Sequence, residues 1–169
     1  MELAELNALG EREFVALLGE VFEHSPWVAT EAHGARPFAS LDELHGAMMR
    51  AVRAAPRERQ LALVRAHPEL AGAEAEQGRL TADSSSEQAR LGFTALSRDE
   101  FLKMRDLNQR YRERHGFPCI VALRLHATRE DVMREMARRA RNDTEAELAA
   151  ALEQIGHITR GRLEKKWAG

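Results

Sequence analysis

The amino-acid sequence predicts an all-α protein, a single compact multi-helix domain over residues 1–169. Three observations carry that expectation. Apolar residues recur at spacings of three and four along most of the chain, the period of a helix with one buried face. Strand-like alternation of apolar and polar residues is scarce. Helix start and stop signals punctuate the chain at intervals that globular helices fill. With 169 residues, 44% hydrophobic and 31% charged, the chain is long enough to bury a sizeable core and has an ordinary soluble balance.

The elements follow in order. Phe14, Leu17, Leu18, Val21 and Phe22 lie at i, i+3, i+4, i+7 and i+8 and predict a first helical face. Ser25 precedes Pro26 and is pushed out of the α region, so that helix is expected to stop at His24-Ser25-Pro26-Trp27. Ser40-Leu41-Asp42-Glu43 reads as a capping-box start for a helix through about Ala54, with Leu44, Met48 and Val52 inward. Pro56 suits the first turn of the next helix, which carries Leu61, Leu63 and Val64 and ends at His67 before Pro68. Residues 71–83, rich in Ala, Gly, Asp and Thr, read as a connection. A helix is expected from Ser85 to Leu91, and another from Arg98 to His115 with Phe101, Met104, Leu107 and Tyr111 on one face. Gly116 is its C-cap candidate. Phe117–Leu123 is a short apolar run, either a buried strand or extended chain between helices. Thr128-Arg129-Glu130-Asp131 opens a further helix, and Thr144-Glu145-Ala146-Glu147 a last long one reaching Trp167.

Charge and composition narrow the function classes. Twenty-five basic against 27 acidic residues leave a net charge of -2. That balance gives no electrostatic reason to expect nucleic acid or an anionic membrane as partner. No segment approaches the roughly 20 apolar residues that span a bilayer. The start, Met1-Glu2-Leu3-Ala4-Glu5-Leu6, lacks a signal peptide's basic and apolar regions, and Lys166-Trp167-Ala168-Gly169 is no peroxisomal address. A lone cysteine, Cys119, forms no internal disulfide and suits a reducing compartment. A cytoplasmic protein is the expectation.

The seven histidines are scattered without metal-ligand spacing, and no phosphate-binding glycine loop, nucleophile elbow or dinucleotide fingerprint is present. Chemistry here would use plain acid–base and electrostatic groups. Three places could supply them. In His67-Pro68-Glu69-Leu70-Ala71-Gly72 the proline fixes the chain just past an imidazole that titrates near neutrality, so His67 is either a held proton carrier or a helix cap. In Ser84-Ser85-Ser86-Glu87-Gln88, Ser84 and Glu87 match a capping box, while Glu87 and Gln88 could instead point polar groups into a pocket. In Gly116-Phe117-Pro118-Cys119-Ile120, an irregular apolar segment offers backbone amides to a small ligand or simply packs. Arg134, Arg138, Arg139 and Arg141 read as a solvated helix face offset by Glu130, Asp131 and Glu135. Arg160 and Arg162 near the end could equally be surface charges, and nothing in their spacing decides.

Taken together, these pieces resemble the 2-oxo-4-hydroxy-4-carboxy-5-ureidoimidazoline (OHCU) decarboxylase family over almost the whole chain. The matching stretches, in family order, are Phe22–Val28, His67–Gly72, Leu80–Ser84 with Glu87-Gln88, Leu107-Asn108 with Tyr111, Gly116-Phe117-Pro118-x-Ile120, and Arg162-Leu163. The resemblance implies an all-helical fold of that family's type and no cofactor or metal. It also implies a homodimer acting on OHCU to give (S)-allantoin in urate breakdown. It implies His67, Glu87 and Arg162 as catalytic residues, with Arg160 as the fallback because Gly161 makes that stretch atypical. Pro68, Ser84, Gln88, Cys119 and Ile120 are the implied substrate-binding positions, the last two through backbone groups. Cys119 stands where an aromatic is expected, and Leu125 where a glycine commonly follows the arginine at Arg124; both departures bear on pocket shape. A helical ligand-binding or scaffold protein without turnover is the main rival, and a DNA-binding regulator a more distant one.

Overall fold

The computed structural model describes residues 1–168, and among them every regular element is helical. The order is α1 (Leu3–Ala8), α2 (Glu11–Leu18), α3 (Trp27–His33), α4 (Leu41–Ala54), α5 (Arg57–Ala66), α6 (Ala73–Glu76), α7 (Ala82–Arg90), α8 (Arg98–His115), a 3-10 turn at Leu123–Leu125, α9 (Arg129–Arg139) and α10 (Thr144–Ala168). The all-α expectation holds. The helices group into two compact units, Met1–Ala66 with Thr159 onward, and His67–Ile158.

In the first unit, Phe14, Leu18, Leu44, Met48, Val52 and Leu63 are at most 1% exposed. Burying each such side chain contributes roughly 1.5–3 kcal/mol. Ser40 caps α4 by accepting from the Glu43 amide at 3.1 Å, while Glu43 reaches back to the Ala39 amide at 2.8 Å, one residue earlier than a strict capping box. The expected helix through Phe22 is corrected: α2 ends at Leu18. Beyond Gly19 the chain tightens into turns, with the Val21 amide bonded to the Leu18 carbonyl and the Ser25 amide to that of Phe22. Val21 and Phe22 are still buried, so helical spacing continues through backbone that is not helix. Pro26 does not end a helix but opens α3, because its fixed φ suits a first turn. The short helices α1 and α3 carry no apolar stripe long enough to read. The Asn7 side-chain amide both donates to the Phe38 carbonyl and accepts from its amide, each at 2.8 Å, and joins the α1 end to the chain before α4.

In the second unit, α8 runs over the expected residues and ends at Gly116, whose φ of 75° is the left-handed cap that glycine adopts without strain. Met104, Asn108, Tyr111 and His115 form its buried face. Residues 117–122 form no strand; the apolar run is extended chain leading into the 3-10 turn. Two further expectations are corrected. The connection 71–83 contains α6, and α7 starts at Ala82 rather than Ser85, with Thr81 as N-cap accepting from the Ser84 amide at 3.2 Å. At the start of α10, Asp143 accepts from the Ala146 amide at 2.8 Å, which leaves Thr144 and Glu147 for tertiary contacts.

Candidate active site

The polypeptide leaves α5 at Ala66 and enters the segment His67–Gly72. His67 is 6% exposed and Pro68 half-buried. Ala71 has a φ of 50°, unusual for a residue with a Cβ. A Cβ on Gly72 would come 2.7 Å from that of Glu69, so the loop closes too tightly there for any other residue. Two buried amides hold this backbone. Gln88 accepts from the Ala71 amide at 2.9 Å and donates to the Glu69 carbonyl at 3.4 Å, and Asn108 donates to the Leu70 carbonyl at 2.8 Å. The strained turn beside His67 is therefore clamped from α7 and from α8.

Helix α7 carries Ser84, Glu87 and Gln88, which neighbour one another on one face at spacings of three and four. Ser84 and Gln88 are buried and Glu87 is half-buried. The capping-box reading of Ser84 and Glu87 is corrected, since Ser84 lies inside the helix and Glu87 a full turn past its cap. Arg90, at the other end of α7, donates to the carbonyls of Leu123 and His126. So α7 braces both the His67 segment, through Gln88, and the exit of the Cys119–Ile120 segment, through Arg90.

Cys119 and Ile120 are 3% and 4% exposed. Burial pushes the Cys119 thiol up to about 12, so it is no nucleophile at neutral pH. Ile120 gives its carbonyl to Arg139, and the Ala122 amide donates to Gln154 at 2.9 Å. The amides of Cys119 and Ile120 donate to no described residue.

Arg139 is the largest correction to the charge reading. Far from lying on a solvated face, it is 2% exposed, and its Nε donates to Glu147 at 2.8 Å. Glu147, 1% exposed, also accepts from the Tyr111 hydroxyl at 2.5 Å and from Asn142 at 3.0 Å.

The first unit holds the two candidate arginines. Arg162 is 4% exposed and donates to Glu23 at 3.0 Å and to the Val21 carbonyl at 3.2 Å. Arg160 is partly exposed and engages Asp42 at 2.5 Å and Glu164 at 2.9 Å.

A cleft of about 240 Å³ opens on the second unit beside the clamp, walled by Glu69, Gly72, Arg105, Asn108, Gln109 and Arg112. Burial raises the Glu69 carboxyl above its ordinary range, against the opposing pull of Arg112, which bonds it at 2.6 Å. Neither His67 nor Glu87 is among the walls of this cleft. No three His, Cys, Asp or Glu side chains among the described residues group as a metal site.

A family model described as OHCU decarboxylase matches residues 7–164. The chain belongs to the OHCU decarboxylase family. It is 39% identical over 168 residues to a 2-oxo-4-hydroxy-4-carboxy-5-ureidoimidazoline decarboxylase of Haloferax volcanii, covering 99% of this chain and 97% of that one. It is also 39% identical over 163 residues to the Mus musculus protein of that name, covering 96% and 91%. A solved (S)-allantoin synthase matches with a TM-score of 0.76 and 27% identity over 98% of this chain, which spans 54% of that one.

In this member of the OHCU decarboxylase family, sequence patterns alone assign no buried partner to Asn108, Arg139 or Glu147. A signal was available. Each is a polar residue on an apolar stripe, at Met104-Asn108-Tyr111, Val132-Met136-Arg139 and Glu147-Ala151-Ile155. A polar residue at a core position needs a partner, and all three have one.

Proposed function

We propose that this chain decarboxylates 2-oxo-4-hydroxy-4-carboxy-5-ureidoimidazoline to (S)-allantoin, with His67 moving the proton, Glu87 orienting the substrate and Arg162 holding the anionic substrate in place. The substrate's own structure makes the bond cleavage feasible. Its carboxylate sits on a ring carbon next to a C=N bond. As carbon dioxide leaves, the electron pair moves toward that imine and the ring nitrogen gains a proton. The resulting enol takes one proton on the ureido-bearing carbon and loses its hydroxyl proton, which gives the ketone form of allantoin. Delivery of that proton to one face sets the product's handedness.

The observation that carries this reading is the buried His67-Pro68 turn braced to α7, in a chain that belongs to this family. An imidazole fixed by a following proline and a clamped backbone suits proton delivery in one direction. Pro68, Ser84 and Gln88 shape the surroundings of His67 and Glu87, and Gln88 does so by holding the Glu69–Ala71 backbone. Backbone groups around Cys119 and Ile120 contact the substrate. Arg162 acts best on carbonyl or ureido oxygens. A firm grip on the reacting carboxylate would stabilise the ground state, whose charge disperses in the transition state. Arg162 is preferred to Arg160 because it is buried, whereas Arg160 is tied to two exposed or half-exposed carboxylates.

Freshly generated OHCU, mixed with the purified protein, tests the reading by circular dichroism of (S)-allantoin. Formation of the optically active product well above the buffer rate is expected. Binding of allantoin with no acceleration would favour the non-catalytic ligand-binding alternative. The same reading places the protein in the cytoplasm as a homodimer; no helix of the described residues is long and apolar enough to cross a membrane. Light scattering of the purified protein measures the oligomeric state.

A further inference from the structure

We infer that the buried Arg139–Glu147–Tyr111 cluster is a positioning device for the substrate-binding backbone, gripping the Ile120 carbonyl so that the next amide, that of Val121, is presented to the ligand. The inference rests on the proposed use of the Cys119–Ile120 backbone by the substrate. It adds residues that never touch the ligand.

The geometry is specific. Arg139 divides its guanidinium between the Glu147 carboxylate, at 2.8 Å from Nε, and the Ile120 carbonyl, met by Nη1. Glu147 is held in turn by the Tyr111 hydroxyl at 2.5 Å and the Asn142 amide at 3.0 Å. A peptide unit is planar and trans, so its C=O and N–H point in opposite directions. Fixing the Ile120 carbonyl toward Arg139 therefore turns the Val121 N–H away from the cluster. One residue later the Ala122 amide is taken by Gln154 at 2.9 Å, a second pin on the same stretch. The extended chain between Gly116 and the 3-10 turn has no ladder of its own to set these directions, and the two pins supply what a sheet would.

Stability does not account for this arrangement. Arg139 and Glu147 side chains are 3% and 1% exposed, and taking two charges so far from water can offset their attraction. Replacing such a pair by apolar residues of similar volume is often neutral or stabilising. The cluster is instead a directional hold on one carbonyl.

The double variant Arg139→Met, Glu147→Leu removes the grip while keeping the volume apolar. Glu147→Gln is the milder partner, keeping the shape and weakening the hold on Arg139. Steady-state kinetics on freshly generated OHCU should show KM raised at least tenfold in the double variant and at least threefold in Glu147→Gln, with kcat within threefold of the parent. A backbone contact made equally in ground and transition states has that signature. Amide NMR of allantoin binding should show the perturbation of Val121 lost in the double variant. If the double variant does not fold, Glu147→Gln alone decides. Folded variants with parental KM would overturn the inference while leaving the decarboxylase reading intact. So would a collapse of kcat at unchanged KM, which would give the cluster a part in the chemistry itself. An inactive parent protein would overturn both.

Discussion

Gln88→Leu is the most informative single perturbation of the site's scaffold. Leucine nearly fills the space of glutamine but has no polar atoms. The Ala71 amide, bonded to Gln88 at 2.9 Å, and the Glu69 carbonyl at 3.4 Å would then face an apolar group in a place where Gln88 is 2% exposed. An unpaired buried backbone donor costs about 1–3 kcal/mol, and the longer bond to Glu69 adds less. The expected loss is roughly 2–3 kcal/mol, against a total stability on the order of 5–15 kcal/mol. With a urea slope of about 2 kcal/mol/M, the unfolding midpoint should fall by roughly 1–1.5 M with the slope unchanged. Because Ala71 is held at a φ of 50°, releasing its amide should also let the His67 turn relax. A displacement near 1 Å can lower turnover about a hundredfold. A midpoint shift below about 0.3 M with near-parental turnover would refute the clamp.

Other outcomes follow from the same structure. Thr81→Ala removes the cap of α7 and should lower stability by about 1 kcal/mol in urea titration, whereas Ser85→Ala, an exposed position past the cap, should change it by less than about 0.5 kcal/mol. His115 is buried, bonds Thr144 at 2.9 Å, and is held by burial below the ordinary histidine value of 6.5. As pH falls below that value the unfolded chain binds a proton that the folded chain resists, so stability should decline on acidification in that window. His115→Gln should flatten that slope in pH-dependent thermal unfolding. Arg162→Lys should lower kcat/KM at least about tenfold, since a point charge cannot reproduce the guanidinium fork. Arg160→Ala should change it less than about twofold, and the reverse order would give the substrate role to Arg160.

What could be read in the sequence depended on whether local signals and tertiary demands agreed. For α4 and α8 the apolar stripe and the boundary residues agree, and the helices lie where the pattern puts them; α9 likewise starts after Thr128 as its opening residues predict. The end of α2 was hidden because Val21 and Phe22 keep helical spacing while sitting in turns. The start of α7 was misplaced because Ser84 and Glu87 match a capping box more fully than Thr81 does. The fold instead buries Ser84 and leaves Thr81 at the boundary. The His-Pro turn, the Glu87-Gln88 pair and the Cys119–Ile120 run stand out in the sequence as candidate site segments, and the family resemblance implies their roles. Gln88's bracing of the turn was not legible, because it is a contact between side chain and backbone 17 residues apart. Arg139 was hidden by its neighbours: Arg134, Arg138 and Arg141 are exposed, and only the i, i+4, i+7 step from Val132 and Met136 sets it apart.

Replacement of His67 by asparagine bears most directly on the mechanism, because it keeps size and polarity while removing the imidazole assigned to carry the proton. With freshly generated substrate, the rate of (S)-allantoin formation, corrected for spontaneous decay, should fall at least about a hundredfold while the far-ultraviolet helical signal is unchanged. A rate within about threefold of the parent would contradict the role given to His67.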